Sequence, residues 1–142
     1  MDLISTFSVF SHLSEAAHLG WLAEFQRILR PGGVLVATTW PRSFIEDCVT
    51  FRDERDAGLI PAHHVLSTFA FEDTQEWLDR YDRGELCHDA TGGGEGLSSD
   101  FCGETLIPRD YVERVWTELL DVMEYISDRQ VCTQDVIVAR KR

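Results

Sequence analysis

Apolar and polar positions along the chain change period several times, and each change predicts an element. Asp2-Leu3-Ile4-Ser5-Thr6-Phe7-Ser8-Val9 is apolar and β-branched and predicts a strand over roughly residues 2–8. A helix comes next over 14–29, with Ser14 as N-cap and Glu15 in the first turn, where the helix dipole favours an anion. Trp21, Leu22, Phe25, Ile28 and Leu29 fall on one helical stripe and predict its buried face. Arg30 suits the helix end, Pro31 cannot continue it, and Gly32-Gly33 supply a tight turn. Val34-Leu35-Val36-Ala37-Thr38-Thr39 is then a nearly unbroken apolar run and predicts a strand over 33–40, covered on both faces. Strand, helix and strand make one βαβ unit, expected to be parallel and right-handed.

The middle of the chain is less regular. Phe44, Ile45, Val49 and Phe51 predict a helix running on from Arg42-Ser43, and Glu72 to Tyr81 predicts a second with acids at its N-terminal end. Gly92-Gly93-Gly94-Glu95-Gly96 is read as a loop rather than a phosphate cradle. No Lys-Ser/Thr comes after it, no strand precedes it, and Glu95 would repel an anion. Ser98 to Ile107 is read as an extended return. Pro108 then opens a helix over 108–119, with Val112, Val115, Trp116 and Leu119 on one face. Strands over 120–127 and 132–141 close the chain as a hairpin turning at Ser127-Asp128-Arg129. The expectation is one four-stranded sheet whose last strand is antiparallel, with residues 42–104 as a largely separate cap.

Asp-Leu-Ile, Ser-Val-Phe-Ser-His-Leu-Ser-Glu, the helix with Trp21-Leu22, and Ile-Leu-Arg-Pro-Gly-Gly-Val-Leu-Val together resemble part of a known family. They are similar to the fourth strand, its succeeding helix and the fifth strand of class I S-adenosylmethionine (SAM)-dependent methyltransferases. The terminal helix and antiparallel hairpin resemble the way that family closes its sheet. The resemblance covers residues 2–40 and 105–142. It implies an α/β fold: a partial Rossmann-like sheet made of the parallel βαβ unit and the C-terminal hairpin, with 42–104 as an acidic insertion or substrate lid. It also implies methyl transfer from SAM to a small-molecule acceptor. Ser8 and Val9 would contact the methionine part and sulfonium through backbone groups, Phe10 would pack nearby, and His12 would either face the pocket or satisfy backbone groups at the helix start.

The family's glycine-rich turn and ribose-gripping acid have no counterpart in these residues. The chain therefore reads as the C-terminal half of such a domain, inactive alone. The run Leu3-Ile4-Ser5-Thr6-Phe7 would then be an open edge at 2–8, with no lysine or proline to blunt it. Its expected partners are a complementary N-terminal half or a second copy of the chain. The alternative is a non-catalytic α/β binding or assembly subunit derived from a half-domain.

Charge sharpens this picture. Residues 46–104 carry 15 Asp/Glu against 4 Arg, and the remainder 10 against 9 Lys/Arg. An acidic segment repels phosphate backbones, which argues against nucleic acid and leaves a substrate-selecting face or a plain solvated one. No apolar run approaches the roughly 20 residues of a membrane span, and no basic leader precedes the first strand. Cys48, Cys87, Cys102 and Cys132 lack Cys-x-x-Cys spacing, so reduced, mostly buried thiols in a cytoplasmic protein are expected.

Candidate chemistry is sparse. Cys48, His63, His64, Cys87, His88 and Cys102 have zinc-ligand character but no compact spacing, so no metal site is assigned. His63, His64 and His12 are the candidate general bases, with an exposed loop as the plain reading of the His63-His64 pair. Ser11-His12 with Asp2 is not read as a hydrolase triad, because the glycines of a nucleophile elbow are absent. Trp40 ends the second strand at its carboxyl edge, where open α/β sheets bind ligands, and is a candidate for lining the acceptor pocket.

Overall fold

The computed structural model describes residues 1–59, 65–91, 98 and 101–142. β1 (Leu3–Thr6) leads through a single 3-10 turn, Phe10–His12, into α1 (Glu15–Ile28), and β2 (Val34–Thr39) comes next. The Ser14 hydroxyl accepts from the Ala17 N–H at 3.4 Å and caps α1 as expected. Gly32 adopts φ +77°, a left-handed conformation that favours glycine, and a β-carbon at Gly33 would press on the Arg30 and Met1 carbonyl oxygens at 2.9 Å. β1 and β2 pair in parallel, from Leu3 opposite Val34 to Thr6 opposite Ala37.

The sheet is mixed, in the order β1-β2-β6-β5, with β5 at Asp121–Ile126 and β6 at Asp135–Arg140. β6 is antiparallel, as expected of the last strand, and lies between β2 and β5. The cross-strand pairs Leu35–Ala139 and Ala37–Ile137 seat it beside β2 by placing four fully buried side chains on one face. α1 and α4 (Arg109–Val115) both pack there, through Leu22, Leu29, Tyr111, Val112 and Trp116. α4 is shorter than expected. It ends at Val115 and tightens into a 3-10 turn over Trp116–Glu118, with Pro108 just before its first turn.

Two expectations are corrected. β2 is not covered on both faces: Leu35 and Ala37 are fully buried, but Val34 and Val36 are only half-buried. Their neighbours Val136 and Val138 are likewise half-buried, and Leu3 is 59% exposed, so one sheet face has no helix on it among the described residues. The stripe of α1 is also rotated. Trp21 is 45% exposed, and His18 occupies the buried position instead, with Leu22 below it. Trp116 Nε1 donates to His18 Nε2 at 2.9 Å and the rings of Phe10, Tyr111 and Trp116 surround the imidazole, while its buried Nδ1 has no hydrogen-bond partner among the described residues.

The acidic segment builds a second apolar cluster. α2 (Phe44–Asp56) and α3 (Thr74–Asp82) fall near their predicted positions. Asp73 caps α3 by accepting from the Glu76 N–H at 3.2 Å. With a two-stranded antiparallel sheet of β3 (Cys87–Asp89) and β4 (Glu104–Leu106), they enclose Phe44, Ile45, Cys48, Phe71, Cys87 and Leu106. The residue after β4 also ties this cluster to the main sheet, because the Ile107 N–H donates to Thr39 Oγ1 at 3.0 Å. The glycine loop 92–96 and the pair His63-His64 lie outside the described residues. Among the described residues no helix is long and apolar enough to cross a membrane.

Candidate functional site at the carboxyl edge

The carboxyl ends of β1 and β2, the 3-10 turn and β4 meet around His12. Glu104 is the centre of this meeting. It is 5% exposed and belongs to the segment whose acidity sequence assigns to a lid. Its carboxylate is held from three sides: Trp40 Nε1 donates to Oε2 at 2.7 Å, Ser67 Oγ donates to Oε1 at 2.8 Å, and His12 Nδ1 lies 3.3 Å from Oε2. Two hydrogen bonds and the adjacent imidazole fix this buried carboxylate in place.

His12 is fixed by the same group. Nδ1 lies 3.0 Å from the Gly103 carbonyl oxygen, which only accepts, so Nδ1 carries the proton in the neutral ring. Nε2 is then the acceptor, and it faces Ser8 Oγ at 3.4 Å. Burial lowers the imidazole pKa, but the hydrogen bond and charge of Glu104, with the Gly103 carbonyl, outweigh it and raise the pKa above the ordinary histidine value. A β-carbon at Gly103 would overlap the Asp89 carbonyl oxygen, so this close approach to β3 requires glycine.

Ser8 sits at the turn leaving β1 with φ +55°, a left-handed conformation that non-glycine residues rarely adopt. Two contacts help hold it there. Its N–H donates to Thr38 Oγ1 at 2.9 Å, and Thr38 Oγ1 donates to Gln134 Oε1. With its oxygen engaged, the Gln134 amide turns its Nε2 toward Ser8 Oγ (3.3 Å) and Ser11 Oγ (3.5 Å). Gln134, Thr38 and Ser11 are all buried, whereas Ser8 is half-buried and the His12 side chain is 34% exposed. The Ser8–His12 pair is therefore reachable from solvent over a buried polar floor.

The other sequence candidates divide. Val9 is 41% exposed at the rim, whereas Phe10 is fully buried against His18, Phe25 and Trp116. Trp40 stacks on Phe44 with ring centres 4.1 Å apart and lines a groove with Phe44, Asp47, Phe51, Arg129 and Thr133. Arg129 donates to Asp47 Oδ2 and Ser43 Oγ at the rim of that groove. Asp2 is far from His12 in role: it pairs with Arg30 at the opposite end of β1. His88 Nδ1 lies 2.8 Å from Thr105 Oγ1, whose proton goes to the Leu13 carbonyl. Cys48, Cys87 and Cys102 are buried, and burial pushes the Cys48 thiol up to about 12, so it is no nucleophile.

Glu104, Gln134, Thr38 and Ser67 are the residues sequence reasoning missed. They come from β4, the β5–β6 connection, β2 and the turn before α3, and no local pattern links them. No protein-family model matches the chain, and no curated protein matches it.

Proposed function

We propose that this chain forms part of a SAM-dependent methyltransferase and supplies the acceptor side and one wall of the cofactor site. The observation that carries the reading is the parallel β1–β2 pair, closed by an antiparallel hairpin, with its loops converging on Ser8, His12 and Trp40 at the carboxyl edge. In the partial Rossmann-like architecture that the resemblance implies, this is the edge where the methionine end of SAM lies.

The residues fit that role in part. Ser8 Oγ, His12 Nε2 and the exposed Val9 are available to a polar methionine end. Phe10 serves as core beneath the loop, and the Ser8 N–H is engaged by Thr38. When bound, SAM supplies an electrophilic methyl group on a sulfonium. This chain orients the acceptor and excludes water, and displacement needs no obligatory acid or base. The aromatic wall of Trp40, Phe44 and Phe51 suits a small apolar acceptor; the one acid lining that groove, Asp47, is paired with Arg129, and Glu72, Asp73 and Glu76 are not among its lining residues. The glycine turn and ribose acid must then come from polypeptide outside residues 1–142.

Calorimetry tests the reading. The chain alone should show no clear SAM binding, and adding a polypeptide that carries the glycine-turn half should restore it. Micromolar affinity in the chain alone overturns the half-site reading. A tight pair of polypeptides that still ignores SAM favours the assembly subunit.

A further inference from the structure

The geometry points to a second chemistry at this edge: Ser8, His12 and Glu104 form a nucleophile–base–carboxylate relay able to hydrolyse small esters. The proposal does not rest on the methyltransferase reading, because its tests contain no SAM. Three independent observations carry it. First, the order of contacts is that of an acyl-transfer triad: Ser8 Oγ faces His12 Nε2 at 3.4 Å, and His12 Nδ1 faces Glu104 Oε2 at 3.3 Å. Both separations are longer than an ideal hydrogen bond, as is common before substrate is bound. Second, Ser8 stands at φ +55° between a strand and a helical turn, the strained position that exposes a nucleophilic serine. Third, the Gln134 amide is locked by Thr38 so that it donates to Ser8 Oγ, which leaves the Ser8 hydroxyl proton to face His12 Nε2.

The missing elbow glycines no longer argue against it. Positions two residues either side of Ser8 are Thr6 and Phe10. Phe10 turns into the core, and the element next to Ser8 is only a three-residue 3-10 turn, so no long helix crowds the strand end. Sequence proximity groups His12 with Ser11 and Asp2. The structure replaces both of these partners: Ser8 takes the place of Ser11, and Glu104 that of Asp2.

The step balances with water as the only co-reactant. Ser8 Oγ bonds to the ester carbonyl carbon while its proton passes to His12 Nε2. A tetrahedral adduct with an anionic oxygen forms. The adduct collapses with rupture of the bond to the alcohol oxygen, which takes the proton from His12. Water then attacks the acyl-serine carbonyl and gives its proton to His12. Ser8 Oγ leaves, takes that proton back, and the carboxylic acid is released. Glu104 never bonds to substrate. It is a positioning residue that, with the Gly103 carbonyl, faces the His12 Nδ1 proton and stabilises the protonated ring.

The full chain should be treated with a fluorophosphonate probe and, separately, with p-nitrophenyl acetate. One phosphonyl adduct per chain is expected on Ser8 by peptide mass analysis, and p-nitrophenyl acetate should give a burst of p-nitrophenol as Ser8 is acetylated. Ser8→Ala should lose the adduct. His12→Gln should slow its formation at least ~100-fold. Glu104→Gln should slow it and shift the pH profile of labelling to lower pH, a change that a merely structural role would not produce. Because Ser8 is strained, Ser8→Gly serves as a second variant: it relaxes the backbone, keeps the fold by circular dichroism, and must also be unlabelled. No adduct on a folded chain overturns the proposal, as does an adduct on Ser11 or Ser67 or labelling that survives Ser8→Ala.

Discussion

Two histidines six residues apart, His12 and His18, sit in regions that treat an imidazole in opposite ways. His12 lies at the carboxyl edge among Glu104, Gly103 and Ser8, where a carboxylate outweighs partial burial and favours the protonated ring. His18 lies beneath α1 among Phe10, Tyr111 and Trp116, where burial alone pushes its pKa down to about 4. One is a group poised to take a proton. The other is a core side chain that happens to be titratable. Residue type does not separate the two; a neighbouring charge does.

The largest break in that comparison comes from His18→Ala. It leaves a cavity and strips Trp116 Nε1 of its buried acceptor, so a loss of about 3 kcal/mol is expected in denaturant unfolding. The edge cluster should survive in the remaining folded fraction. If unfolding free energy is unchanged, the contact between α1 and the Trp116 turn is not what holds the core.

Acid should sharpen the contrast next. The folded pKa of His18 lies below its unfolded value of 6.5, so the unfolded chain binds more protons between pH 6.5 and about 4. Its contribution is complete above pH 6.5 and is lost as pH falls toward 4, by on the order of 3 kcal/mol at the end of that range. His12 runs the other way. Its folded pKa is raised, so its contribution is complete below pH 6.5 and is lost as pH rises through the folded value. Stability measured from pH 4 to 8 should carry both slopes, and His18→Leu should abolish only the acid-side one.

Glu104→Gln is the smaller and more local change. It keeps the shape and one acceptor for Trp40 or Ser67 but removes the charge, so a cost of about 1–2 kcal/mol is expected. The telling measurement is the His12 pKa by NMR, which should fall while that of His18 stays put. An unmoved His12 would mean that the Gly103 carbonyl, not the carboxylate, sets its protonation.

The smallest effect on stability, but a large one on assembly, is expected at β1. This edge strand borders the uncovered sheet face of Leu3, Val34, Val36, Val136 and Val138. Leu3→Lys changes a side chain that is 59% exposed, so unfolding should move by less than about 0.5 kcal/mol. Light scattering of the unmodified chain should exceed monomer mass, and Leu3→Lys should return it toward monomer. An unmodified chain that is already monomeric removes the open edge as an association site.

The sheet half is legible in the sequence because its signals are local. Ser14 caps, Pro31-Gly32 turns, and the run from Val34 to Thr39 extends, each through the conformational limits of its own residues. The hairpin of β5 and β6 is legible for the same reason, but not its insertion beside β2, which rests on the burial of Leu35 and Ala37 against Ala139 and Ile137. The α1 stripe misleads because hydrophobicity ranks Trp21 above His18. Tertiary structure reverses that order by offering His18 a donor from a residue 98 positions away. The candidate site lies at the far end of this scale. Ser8, His12, Thr38, Glu104 and Gln134 share no period and no motif, and sequence alone places Glu104 among the acids of a lid. Only folding brings β4 against the end of β1, and a hydrogen-bonded cluster of such distant residues has no one-dimensional trace.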